Sequence, residues 1–106
     1  MAWIFLFCAG LLEIAWAYSM KRSEGFTLPL PTAATIVLMV ASFALLSIAM
    51  RTLPLGTAYT IWTGIGAVGA FLVGIVVLGE TASPMRWLAA AFIITGIAMM
   101  KLSSDH

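Results

Sequence analysis

Ala9-Gly10-Leu11-Leu12-Glu13-Ile14-Ala15-Trp16-Ala17 is the stretch that decides how this chain folds. It lies within residues 1–20, where Glu13 is the only charged side chain and the first cations follow at Lys21 and Arg22. About 20 apolar residues are what an α-helix needs to cross a bilayer. Glu13 then falls past the midpoint of such a helix, in the hydrocarbon. An ionised carboxylate at that depth costs about 3 kcal/mol on insertion scales. Carboxylates so placed face a bundle interior and mark a path for ions or substrate. Glu13 needs a partner, and the rest of the sequence must supply it.

Composition agrees with a membrane setting. Of 106 residues, 63% are hydrophobic and 8% charged, against roughly 25% charged in soluble domains. A formal net charge of +1 gives no electrostatic footprint for nucleic acid. Cys8 is the single cysteine, which excludes an internal disulfide and a multi-cysteine metal site. His106 ends the sequence and reads as a solvated tail rather than a ligand. Residues 1–20 do not read as a cleavable signal peptide, because a basic n-region is missing and Glu13 interrupts the apolar run. Nothing in the sequence calls for a cofactor or a metal.

Charges and prolines divide the chain into four apolar spans, at about residues 2–20, 31–50, 57–79 and 85–101. Pro29 and Pro31 mark the entry to the second span, where a first turn tolerates proline. Arg51, Pro54 and Gly56 separate the second from the third. Ser83 is the expected N-cap of the fourth, with Pro84 at its first helical position. The fold class is all-α integral membrane, and residues 1–106 are expected to form one four-helix transmembrane domain. Any function lies within the membrane.

The cations also bear on orientation. Arg51 and Lys101 fall on the side of the termini, and Lys21, Arg22 and Arg86 on the other. Orientation follows an excess of Lys and Arg on the cytoplasmic side, and two against three is hardly an excess. Either the chain inserts both ways, or a topology exists that short loops conceal. Four short helices enclose little, so a dimer is the better expectation than a monomer. Inverted insertion would let two copies supply what larger transporters encode as inverted repeats. At 1.5 Å per residue, Glu13 lies about 18 Å from its own terminal side and Trp62 about 8 Å. An inverted copy brings its Trp62 to about 22 Å, closer to Glu13.

The third span carries the other informative pattern. Tyr59, Trp62, Gly66 and Gly69 follow three-four spacing and share one helix face. The glycines permit close helix approach and would let the helix bend. The two aromatic rings either make cation–π contact with a bound cation or anchor the helix near an interface. In the first span, Gly10 and Trp16 stand three residues either side of Glu13, on its face. Ser42 is the hydroxyl nearest the middle of the second span; it bonds either its own backbone or Glu13.

These parts describe a cation pocket. Desolvation and a neighbouring like charge both favour the neutral form of a carboxyl, and two Glu13 side chains across a dimer titrate as a coupled pair. A protonated site is neutral and a deprotonated one holds a cation. Competition between protons and a cation for one carboxylate pair is enough for antiport.

Nearly the whole chain resembles the small multidrug resistance family, in its guanidinium-exporter branch. The resemblance rests on Trp3, Ala9-Gly10-Leu11-Leu12-Glu13, Trp16-Ala17, and Lys21 before Gly25-Phe26. It is most specific at Leu53-Pro54-Leu55-Gly56-Thr57-Ala58-Tyr59 and Ile61-Trp62-Thr63-Gly64-Ile65-Gly66-Ala67-Val68-Gly69-Ala70, continuing through Gly74-Ile75 and Gly79-Glu80. The Thr63–Ala67 form, with Trp16 and Ser42, resembles the guanidinium branch rather than the drug-exporting one. Tyr18-Ser19-Met20, Arg22 and Glu24 depart from the pattern, which bears on the first loop and on substrate range.

The resemblance implies an antiparallel, dual-topology homodimer in a bacterial inner membrane that exchanges protons for guanidinium. By position, Glu13 is the implied proton and substrate site, with Trp16 and Ser42 as hydrogen-bonding neighbours and Tyr59 and Trp62 as pocket wall. Gly10 is counted with the pocket, and Gly64 and Gly66 with a bend of the third span. A sister reading is export of quaternary ammonium or other lipophilic cations. A third class is a non-transporting membrane subunit whose glycine face docks a larger partner. An enzyme is disfavoured, because no second intramembrane carboxylate, no histidine in a span and no metal-ligand cluster accompanies Glu13.

Overall fold

A computed structural model describes residues 1–103; His106 lies outside them. The described residues form four α-helices: α1 (Ala2–Arg22), α2 (Pro29–Ala49), α3 (Leu55–Val76) and α4 (Pro84–Leu102). Their lengths are 21, 21, 22 and 19 residues. At 1.5 Å per residue each reaches about 30 Å, the thickness of the hydrocarbon.

Local chemistry sets the ends. Leu28 is extended (φ −94°, ψ 121°), as a residue before proline prefers, so α2 starts at Pro29, two residues before the expected boundary. Pro54 is extended ahead of α3, which likewise begins early, at Leu55. At the other end of α3 the apolar run Val76-Val77-Leu78 carries hydropathy past the helix. The helix itself stops at Val76, because Gly79 turns left-handed (φ 73°) and Glu80 N–H bonds back to the Gly74 carbonyl at 2.9 Å. Ser83 caps α4 by accepting from the Arg86 N–H at 3.3 Å.

The first loop is also built. Ser23 is fully buried; its hydroxyl donates to the Met20 carbonyl at 2.6 Å and accepts from the Phe26 N–H at 3.0 Å. These bonds hold Glu24, Gly25 and Phe26 in positive φ, a region that costs an L-residue of ordinary size about 1 kcal/mol or more. Arg22 donates to the Tyr18 hydroxyl at 3.1 Å, so these two residues engage each other along the last turns of α1, ahead of the loop.

The packing is unequal. α1 is the central helix, packed on both α2 and α3, while α2 and α3 touch lightly and the α4 backbone leans on α3 alone. The Cα atoms extend 43 × 34 × 16 Å. Two helices at 8–10 Å separation already give about 14 Å of Cα thickness, so the slab is no more than two helices deep. The buried core, built on Leu6, Ala9, Leu46, Ala49, Ile61 and Trp62, gathers toward the end that carries the N-terminus of α1. Ala90 is the one buried residue of α4.

Candidate functional site

Glycines on α3 decide how close α1 comes. A Cβ placed on Gly66 would overlap the Glu13 carboxylate, and one on Gly69 would overlap the Ile14 side chain. From the other side, a Cβ on Gly10 would stand 2.6 Å from the Ile65 methyl. Glu13 therefore lies flat in a notch that α3 makes by omitting a side chain. α3 is an unbroken α-helix through Gly64 and Gly66. The two residues point to different neighbours, Gly66 to Glu13 and Gly64 to Ile97 of α4, where a Cβ would stand 2.7 Å from the methyl.

Seated there, Glu13 Oε1 is buried and has no hydrogen-bond partner, and the same holds for Trp16 Nε1 one turn along α1. Buried polar groups are otherwise bonded in the great majority of cases. Here an acceptor and a donor on one helix face are both left unmade.

Ser42 is not the partner of Glu13, and the alternative of a bond to its own backbone does not hold either. Its hydroxyl donates to the Ala9 carbonyl of α1 at 2.7 Å and accepts from Trp62 Nε1–H of α3 at 3.0 Å. Ala9 lies four residues, one helical turn, before Glu13, so Ser42 fixes the turn beside the carboxylate. The reason is geometric: α1 and α2 lie close enough for the hydroxyl to reach a neighbouring main chain.

Trp62 is 7% exposed and Tyr59 52%. Their rings lie 5.6 Å apart. Phe43 of α2 extends the row, 5.7 Å from Trp62 and 6.4 Å from Trp16 in an edge-on contact. Trp16, Phe43, Trp62 and Tyr59 thus make one continuous aromatic line across three helices. Phe43 was not among the residues singled out from sequence. It stands next to Ser42 in the chain, but its ring is one of several apolar side chains on α2 and no spacing marks it.

A cleft of about 730 Å³ lies elsewhere, between α3 and α4, with Tyr59, Thr63, Gly64 and Ile97 in its lining. Glu13 is not part of that lining. Among the described residues no group of three or more His, Cys, Asp or Glu could hold a metal ion.

Comparison with known proteins gives this geometry a context. A profile of the Small Multidrug Resistance protein family matches residues 1–94. The guanidinium exporter of Citrobacter freundii is 56% identical over 104 residues, covering 98% of this chain and 99% of that protein. The guanidinium exporters of Salmonella typhimurium (strain LT2) and Escherichia coli (strain K12) are 57% and 53% identical over the same length and coverage. Four apolar helices long enough to span a bilayer and these bacterial relatives make the protein a multi-pass component of a bacterial inner membrane, and the chain belongs to the small multidrug resistance family.

Proposed function

We propose that this protein exports guanidinium in exchange for protons, that both compete for Glu13, and that the working unit is an antiparallel homodimer. The observation that carries the reading is the buried acceptor Glu13 Oε1, which has no hydrogen-bond partner within the chain. Guanidinium is planar, stays charged near neutral pH and presents paired N–H donors that match a carboxylate side by side. The relatives named guanidinium exporters, similar over nearly the full length, support this choice of cation.

The cycle needs few parts. Ionised Glu13 accepts two N–H bonds from the cation. A proton arriving on the carboxyl removes its charge and with it the attraction, so the cation leaves. The neutral site then returns without substrate. Gly66 gives the carboxylate its seat, and Gly10 lets α1 lie close to α3. Trp62 and Tyr59 offer ring faces to a cation, with Trp62 held by Ser42. The Trp16 N–H is a donor, which guanidinium cannot accept, so it suits the Glu13 carboxylate of a second copy. Gly64 and Gly66 are the residues at which α3 would bend between states.

A slab two helices deep leaves the Glu13 face of one copy without a second wall, which favours a dimer. The near balance of cations across the two sides, two against three, favours an inverted one. The protein acts as a transporter and not as an enzyme, with itself, protons, membrane lipid and a small cation as its partners.

Proteoliposomes carrying an internal pH dye test the reading. An inward proton gradient should drive guanidinium and methylguanidinium out, tetrapropylammonium poorly, and Glu13→Gln should abolish the coupled flux while the protein still assembles. Strong coupled flux of tetrapropylammonium with none of guanidinium would replace this reading by export of lipophilic cations.

A further inference from the structure

The α4 backbone packs on α3 and not on α1, which leaves a wedge between α1 and α4. It opens as a cleft of about 220 Å³ with Leu6, Ile61, Ile65 and Ile97 in its walls. Trp3 from the first turn of α1 and Lys101 from the last turn of α4 also line it, the Lys101 ammonium standing 4.8 Å from the centre of the Trp3 ring. With four spans these two helix ends lie at the same membrane surface, the depth where tryptophan belts and head groups meet.

We propose that this cleft seats one anionic phospholipid, with an acyl chain in the wedge and its phosphate on Lys101. The walls are hydrocarbon, and the volume is below the roughly 300 Å³ of the smallest drug-sized sites, so a single chain suits it better than a bulky guest. Among the described residues that line it, Lys101 is charged and none is a carboxylate, so these residues present a positive charge at its mouth. A lysine ammonium has three donors, and the ring face occupies it on one side only. Cations near an anionic membrane surface attract its lipids, and here the cation is held in place over an apolar notch. The proposal is independent of the transported substrate.

Native mass spectrometry of the purified full chain, released from nanodiscs of equal phosphatidylglycerol and phosphatidylcholine, reads the site directly. The parent protein should retain phosphatidylglycerol about five-fold over phosphatidylcholine. Lys101→Gln should retain the two equally, and Lys101→Arg should restore the preference. Ile97→Phe, which fills the wedge and keeps the charge, should lose bound lipid of both kinds. A preference unchanged in Lys101→Gln, or an amount of bound lipid unchanged in Ile97→Phe, would overturn the proposal; the second result would mean surface attraction without a seat.

Discussion

Two buried polar constellations lie one helical turn apart, and they are opposites. Around Ser42 every bond is made: its hydroxyl joins the Ala9 carbonyl to the Trp62 indole and ties three helices together. Around Glu13 nothing is made: Oε1 and the neighbouring Trp16 Nε1 are buried without a hydrogen-bond partner. Satisfied groups in a low-dielectric interior rigidify, and unsatisfied ones are costly unless a ligand completes them. The Ser42 cluster is thus read as the frame and the Glu13 cluster as the site it holds open. The glycines sharpen the contrast, since α3 gives up side chains at Gly66 and Gly69 to let Glu13 and Ile14 in.

The comparison breaks most completely at Glu13. Glu13→Gln keeps the shape and removes the titratable charge, so guanidinium-dependent proton flux should fall to the level of empty liposomes. In the parent protein guanidinium affinity should rise with pH, because fewer protons then occupy the carboxylate; in Glu13→Gln it should be weak and flat. Isothermal titration across a pH series checks both.

Gly66→Ala comes next. Its Cβ would collide with the Glu13 carboxylate, and α1 must shift or the side chain must turn. Misplacement of about 1 Å at a reacting group can cost roughly 100-fold, and a loss of that order is expected in transport rate. Circular dichroism should still give a fully helical protein.

Ser42→Ala tests the frame. It leaves the Trp62 N–H and the Ala9 carbonyl without this partner, with an expected loss of about 1–3 kcal/mol in stability. Thermal unfolding in detergent measures it, and residual transport should exceed that of Gly66→Ala. Trp16→Phe should give the smallest change. It removes a donor that has no hydrogen-bond partner within the chain, so stability should hold within about 0.5 kcal/mol. Cation affinity should drop about five-fold, because the Glu13 carboxylate of the second copy loses one modest hydrogen bond that orients it. A large stability loss in Trp16→Phe with none in Ser42→Ala would invert the comparison.

Much of the fold was legible because membranes impose simple rules. The charges at Lys21, Arg22, Arg51, Arg86 and Lys101 and the prolines at 29, 31, 54 and 84 bracket apolar stretches of spanning length. Helix ends were less so. Hydropathy could not tell the helix up to Val76 from the apolar turn Val77-Leu78 that closes it, since both are equally greasy and the stop is a backbone event at Gly79. At the site, Glu13 stood out by its chemistry, and the three-four face of Tyr59, Trp62, Gly66 and Gly69 by its spacing. The partners of Ser42 were not legible. They depend on how closely α1 and α2 approach, which is a property of two surfaces and not of one. Phe43 escaped for the same reason, as its place in the aromatic row is set by α1 and α3. Gly66 drew attention for close helix approach and for bending, and its contact makes the first specific, as the floor beneath a carboxylate.

The central claim is that cation and proton exclude one another at Glu13. Proton release on guanidinium binding tests it most directly, read with a pH indicator on purified protein in weakly buffered detergent solution near neutral pH. The parent protein should release protons as guanidinium saturates the site, and Glu13→Gln should release none. Saturable guanidinium binding without proton release, or release that persists in Glu13→Gln, would contradict the account.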